Sequence, residues 1–217
     1  MPPRSKRSPE PLVQFDALTQ EILTPDRALT TEWYERSVVD VARGLLGSLI
    51  VSTHGGQTVS GLIVETEAYD GEDDPASHSA FRRTGVVTAM WGPRGTSYVY
   101  LAYGMYPCFN IVAGPGNRPA AVLVRAIEPL VNLDEMARRT GRPAGPRVAS
   151  GPGLTGRALA IDLTDNGCPL RSEPIWIQPG TQDFEIVVGP RIGITRGVDF
   201  LRRFGILGSP SLSRRFP

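Results

Sequence analysis

Two β-rich runs, SLIVSTH (residues 48–54) and QTVSGLIVETEAY (57–69), face each other across Gly55 and Gly56. A glycine pair between such runs is a strong hairpin signal, because tight turns use backbone angles that glycine reaches without strain. A second pair, TSYVYLAY (96–103) and CFNIVAG (108–114), brackets GMYP, and AAVLVRAIEP (120–129) adds a fifth strand. The chain is thereby drawn towards an antiparallel or mixed sheet. SVVDVARGLLG (37–47) reads as a helix with an S-x-x-D cap at Ser37 and Asp40 and a closing Gly47. Asn132 and Glu135 are expected to cap a second helix, NLDEMARRTG, whose arginines lie near its C-terminal end as the macrodipole favours. After a proline- and glycine-rich loop from Arg142 to Pro152, TGRALAID reads as a third helix, and EPIWIQPG and FEIVVGPRIGI complete the strands. The class is α+β.

With 217 residues, no repeat and no long linker, a single domain is expected over residues 16–217. The basic, proline-rich start, MPPRSKRSPEPL, belongs to a loose tail over residues 1–15 and lacks the apolar stretch of a secretory signal. No apolar run is long enough to span a membrane. Cys108 and Cys168 match neither a metal spacing nor a disulfide framework, which fits buried thiols in a reducing cytoplasm. The net charge of +1 does not by itself announce a nucleic-acid partner. Distribution says more: no acid stands between Asp74 and Glu128, whereas Arg82, Arg83, Arg94, Arg118 and Arg125 all do.

The stretch VETEAYDGEDDPASHS (64–79) holds six carboxylates and one of the two histidines. Side chains alternate faces along a strand, so Glu65, Glu67 and Tyr69 share one face at a strand end, a placement suited to a site. Asp70, Glu72, Asp73 and Asp74 read as a solvated loop. A magnesium or calcium site is the sharper rival, but the calcium-loop pattern is missing, and zinc lacks cysteine or histidine companions for His78. Tyr98, Tyr100, Tyr103 and Tyr106 fall within SYVYLAYGMY, inside the acid-free interval. Such rings pack a core by default, yet aromatic faces beside arginines also suit unstacked bases.

Taken together, VETEAYDGEDDPASHS, GTSYVYLAYGMYPCFNI, VLVRAIEP and SGPG resemble the alkyladenine (3-methyladenine) DNA glycosylase family, the type without a helix-hairpin-helix. The resemblance runs from about residue 37 to about residue 211. It implies one mixed domain around a curved, mainly antiparallel sheet, no cofactor or metal, and action as a cytoplasmic monomer on double-stranded DNA containing a damaged purine. By position it implies Glu67 as the base that activates water, with Arg125 near the flipped nucleotide's phosphate and that water. Tyr69, His78 and Tyr100 would wall the base pocket, Asn110 would discriminate against the exocyclic amino group of guanine, and Tyr103, with Met105 beside it, would intercalate into the duplex.

Elementary chemistry agrees with those roles. An N3- or N7-alkylated purine is cationic and a good leaving group, so water activation and stabilisation of an oxocarbenium ion suffice. Aromatic faces reward a cationic base more than a neutral one. Lys6 is the only lysine and lies in the tail, so no amine is positioned for Schiff-base strand cleavage, and a monofunctional enzyme is expected. G-x-G-x-x-G at Gly151, Gly153 and Gly156 follows no strand and is not a dinucleotide fingerprint; free N–H groups at Gly151 and Gly153 are instead candidate contacts for a DNA phosphate. Leu154 and Leu207 stand where the family usually carries a lysine and an arginine, which bears on DNA affinity more than on chemistry. Outside this family, a metal-dependent phosphoesterase using the acids of residues 65–74 and a noncatalytic binder of damaged DNA are the competing readings.

Overall fold

The computed structural model describes residues 23–217, and the tail expected over residues 1–15 lies outside them. The described chain is one α+β domain around a curled antiparallel sheet of nine strands. Strands β1 (Leu49–Ser52) and β2 (Val59–Tyr69) form the expected hairpin, with φ of +67° at Gly55 and +69° at Gly56. Strands β3 (Ser97–Ala102), β4 (Tyr106–Ala113) and β5 (Ala120–Val131) form a meander, and β5 lies along β2. Beyond β1 come β7 (Ile175–Gln178) and the two-residue β6 (Arg171–Ser172), giving the order β3-β4-β5-β2-β1-β7-β6.

Strand β2 has two partners along one edge. Its first half pairs with β1, and its second half pairs with β9 (Arg203–Ile206), which also pairs with β8 (Ile186–Gly189). The changeover coincides with register shifts against β5 around Glu65, where the strand bends and the sheet curls. Strand β9 is absent from the sequence reading: RFGI is short and broken by glycine, and only its pairing makes it a strand.

Three α-helices flank the described sheet. In α1 (Val38–Gly44) the Ser37 hydroxyl accepts from the Asp40 N–H at 3.1 Å, as the motif predicts. The Thr66 hydroxyl donates to the Ala42 carbonyl at 2.8 Å and ties this helix to β2. Helix α2 (Leu133–Thr140) departs from expectation. Asn132 takes φ +59° where β5 reverses into the helix, so its amide points to Gln57 and Thr58 instead of capping, and Glu135 pairs with Arg138 and Arg139. Helix α3 (Pro152–Ala158) starts three residues ahead of TGRALAID, with proline in its first turn.

The alternation of strand residues separates two environments. Val64, Ala68, Phe109, Ile111, Val122 and Val124 turn to the buried core shared with the helices. Tyr98, Val112 and Ala121 turn to the other face, in a smaller cluster with Val87 and Met90. Helix α3 approaches β4 so closely that a Cβ on Gly156 would stand 2.2 Å from the Pro107 carbonyl oxygen. Gly156→Ala is therefore expected to cost about 3 kcal/mol through forced displacement of backbone. Gly55→Ala, which meets open space and only a positive φ, should cost about 1 kcal/mol; urea unfolding of both variants checks the contrast.

Candidate active site

The face opposite the core carries a cavity of about 860 Å³ at the meeting of β2–β5, the 75–91 segment and the 190–196 loop. Register explains its composition. Tyr98 lies opposite Asn110 on β4, Asn110 opposite Leu123 on β5, and Leu123 opposite Glu67 on β2, which in turn faces Arg203 on β9. One row across five strands thus brings together residues as far apart in the chain as Glu67 and Arg203.

Glu67 sits beneath this surface with a side chain of zero exposure. One carboxylate oxygen accepts from the Ile192 N–H at 2.7 Å; the other accepts from the Tyr69 hydroxyl at 2.8 Å and faces an Arg125 guanidinium nitrogen at 3.2 Å. Tyr69, Arg125 and Ile192 all line the cavity, and the carboxylate lies buried directly behind them, held by three groups of the lining. Burial and the adjacent Glu67 carboxylate raise the Tyr69 hydroxyl well above the usual phenol range, which keeps it a donor.

The aromatic wall is equally constrained. The His78 and Tyr100 rings meet edge to face at 4.6 Å between centroids, and Tyr98 lies tilted beside Tyr100 at 5.6 Å. His78 Nδ1 and the Tyr98 hydroxyl share a 2.6 Å hydrogen bond. Burial, reinforced by nearby Arg82, lowers the His78 pKa, so the ring is neutral at pH 7. Asn110 is buried, and its amide nitrogen donates to the Tyr98 and Cys108 carbonyls at 3.0 and 3.3 Å. That commitment fixes the orientation of the amide, and Asn110 lines the cavity.

At the mouth, Tyr103 tips the β3–β4 hairpin with 93% of its surface exposed and φ of +53°, a left-handed angle rare for tyrosine. Met105 beside it is 57% exposed. Phe81, which the sequence reading did not single out, lines the same mouth at 59% exposure with its ring edge-on to His78 at 5.8 Å. Ile192 and Arg191 were missed as well; their loop is joined to β2 only in three dimensions.

Two arginines of the acid-free interval turn inward. Arg94 is buried and donates to the carbonyls of Gly92, Gly114, Gly116 and Arg118, and Arg125 serves the two glutamates. Arg118 is partly exposed and pairs with Asp70 and Asp73, while Arg82 and Arg83 are exposed, the latter against Glu72.

Glu72 and Asp73 of the acidic loop are exposed as expected, but Asp70 and Asp74 are not simply solvated. Asp74 has zero side-chain exposure, accepts a two-pronged pair from Arg191 and a third bond from Arg202, and takes the N–H groups of Asp70 and Ala76. Asp70 pairs with Arg118 and Arg202. Its acids are thus engaged by arginines, and among the described residues no three His, Cys, Asp or Glu side chains cluster as metal ligands. Of the glycines proposed to meet phosphate, Gly151 has its N–H committed to the Arg125 carbonyl, and Gly153 packs where a Cβ would stand 2.9 Å from Tyr106. Cys108 is buried and Cys168 is partly exposed, so only the first matches the expectation of a buried thiol. Among the described residues, no helix is long and apolar enough to cross a membrane.

A family model described as "Methylpurine-DNA glycosylase (MPG)" matches residues 32–210. The chain belongs to the methylpurine-DNA glycosylase family. Among its relatives in that family, a Rhodopseudomonas palustris protein named "Putative 3-methyladenine DNA glycosylase" is 43% identical over 190 residues, 87% of this chain and 90% of its own length. A Nitrosospira multiformis protein of the same name is 45% identical, covering 84% of this chain and 92% of its own. One from Bradyrhizobium diazoefficiens is 38% identical over the full length of both chains.

The buried pair in this glycosylase-family fold sets a stability test. Burial works against the Asp74 carboxylate, but bonds from Arg191 and from backbone N–H groups outweigh it and hold its pKa below the ordinary 3.8. A depressed carboxylate contributes stability above pH 3.8 that is lost as the pH falls towards its folded value. Asp74→Asn leaves Arg191 buried without its counter-charge and should cost about 3–5 kcal/mol at neutral pH. Its penalty should shrink below pH 3.8, as denaturant titrations at several pH values would read.

Proposed function

We propose that the protein excises damaged purines from double-stranded DNA by flipping the nucleotide into the cavity and hydrolysing its N-glycosidic bond. The observation that carries this reading is the Glu67 carboxylate buried just behind the wall of an aromatic cavity and held by three groups of that wall, Tyr69, Arg125 and the Ile192 N–H. A water reaching Glu67 passes between side chains that also contact the bound base. Its oxygen bonds to the sugar C1′ as the C1′–N bond breaks, the bonding electrons leave on the base, and the water proton goes to Glu67. A base alkylated at N3 or N7 leaves as a neutral molecule, which removes the need for a strong general acid.

The remaining residues take roles that fit their positions. Tyr69, and His78 with Tyr100, offer ring faces to the everted base, and a cationic purine gains most from them. The fixed Asn110 amide presses on the base edge where guanine carries its extra amino group. Tyr103, exposed and already strained into a turn tip, enters the gap in the duplex with Met105 beside it and offsets part of the few kcal/mol that unstacking costs. Gly153 is assigned to a DNA phosphate contact, and Arg196, exposed at the cavity, with exposed Arg82, is better placed for the backbone than Gly151, whose N–H is committed. The protein works as a monomer on one lesion, and with no lysine among the described residues to form a Schiff base it releases the base without nicking the strand. Two unbridged cysteines suit a cytoplasmic setting.

Duplexes carrying one 3-methyladenine, 7-methylguanine, hypoxanthine or ethenoadenine, incubated in EDTA, test the reaction directly. Free base and alkali-labile sites should appear for at least one lesion, without strand breaks above a no-enzyme control; a requirement for divalent cation would favour the phosphoesterase reading. Glu67→Gln should abolish release, by about 100-fold or more, while binding to lesion duplex persists. Equal binding with no release by the wild type would instead mark a binder. Tyr103→Ser should weaken duplex binding at least tenfold, worth about 1.4 kcal/mol, by gel shift or anisotropy.

A further inference from the structure

Arg125 meets Glu67 through one nitrogen, and its other two nitrogens are held from behind. Nε donates to Glu65 at 2.9 Å, and the second terminal nitrogen donates to the Ser213 hydroxyl at 3.3 Å. Glu65 has zero exposure and is itself saturated: it accepts from Arg203 Nε at 2.8 Å, from the Ser213 hydroxyl at 2.8 Å and from the Ser213 N–H. Arg203 closes the arrangement onto the chain's end, donating to the Arg214 carbonyl and lying 3.9 Å over the Phe216 ring. Phe216 lies where a Cβ on Gly205 would clash at 2.6 Å, so the glycine in β9 makes room for it.

We infer that the C-terminal segment, through Ser213 and Glu65, is a positioning device that aims Arg125 at Glu67, so that Ser213 serves the catalytic apparatus from outside the cavity lining, which its neighbour Arg214 joins. The inference rests on the function proposed above. A guanidinium is planar with its N–H bonds in fixed directions, so two bonds from behind determine where the third nitrogen points. Arg125 in turn bears on one oxygen of Glu67, the oxygen it shares with the Tyr69 hydroxyl. Releasing the rear bonds lets the guanidinium swing, and a misplacement of about 1 Å in such a group can cost on the order of 100-fold in rate. Ser213 and Glu65 are outside the cavity lining and, Arg125 apart, bond to none of its side chains, so the aromatic walls keep their shape and binding of the nucleotide is largely spared.

The test separates chemistry from binding and from folding. Full-length wild type, Ser213→Ala, Ser213→Thr and Glu65→Gln are compared by single-turnover base release at saturating protein and by affinity for a duplex with a tetrahydrofuran abasic analogue. Thermal melting of each is followed in parallel. Ser213→Ala should lose roughly 10- to 100-fold in the release rate with affinity and melting temperature near wild type, and Ser213→Thr, which keeps the hydroxyl, should recover most of it. Glu65→Gln should show the same split more strongly; if it fails to fold, the two Ser213 variants decide alone. Release at the wild-type rate by Ser213→Ala overturns the inference, and so does a rate loss matched by lost affinity and melting temperature or left unrescued by threonine. Wild type that releases no base overturns the function proposed above along with it, whereas wild-type release abolished in Glu67→Gln with unaffected Ser213→Ala overturns only the positioning role.

Discussion

Arg125 is shared between Glu65 and Glu67, and most of the architecture can be understood as the means of keeping that contact. Two carboxylates and two guanidiniums, from Glu65, Glu67, Arg125 and Arg203, lie together almost wholly out of water. Desolvation costs several kcal/mol per ion, and only close pairing with full hydrogen bonding offsets it. The burden pushes each partner towards a fixed place: β2 supplies the acids, β5 and β9 the arginines, Ser213 further donors to Glu65, and Tyr69 and the Ile192 N–H further donors to Glu67. Even the backbone of Arg125 is engaged, its carbonyl accepting from the Gly151 N–H and, at 3.1 Å, from the Thr155 hydroxyl of α3. Among Arg125's own bonds, burial alone would lower its pKa, but the Glu67 and Glu65 charges together raise it, so the group stays charged.

The bend in β2 is what makes this cluster coexist with a cavity. A straight strand would continue beside β1; the register shifts near Glu65 instead hand its second half to β9. The same curl turns β3 and β4 into a wall, so that Tyr98 and Tyr100 stand across an open space from Tyr69. Rings that would otherwise fill a core are left with a face towards the cavity, and their hydroxyls are satisfied locally. Tyr98 shares a hydrogen bond with His78, and Tyr69 donates to Glu67. The pocket is therefore built without disturbing the apolar packing on the sheet's other side.

What the sequence disclosed was local or family-wide. The β1–β2 hairpin and the Ser37 cap rest on turn and capping chemistry contained within a few residues, and the α+β class followed from them. Strand β9 stayed hidden because RFGI has no alternation long enough to read, and it becomes a strand only by lying against Glu65–Glu67. Asp74 looked solvated for a similar reason: its partners, Arg191 and Arg202, are 117 and 128 residues away. Asn132 misled because its capping chemistry was read without the backbone reversal that follows β5. The glycines of SGPGLTG looked like an anion loop, yet at Gly153 and Gly156 the need is close approach of α3 to Tyr106 and Pro107.

Charge balance also shapes what the proposed pocket can reward. Arg191 lies 4.7 Å from the centre of the Tyr69 ring and is fully buried, outside the residues that line the cavity, so it occupies the ring face turned away from the base. A ring already drawn upon by one cation attracts a second less strongly through its other face. Among the described residues, the wall of Tyr100 and neutral His78 carries no such cation among its ring contacts, and Glu67 lies directly behind the cavity wall beside Tyr69. In the proposed reaction, then, preference for a positively charged base arises chiefly from the Tyr100 side and from the carboxylate below. Tyr69 contributes shape, stacking area and the hydroxyl that holds Glu67. On this proposal the two aromatic walls do different work, because Tyr69 is backed by the buried Arg191–Asp74 ion pair.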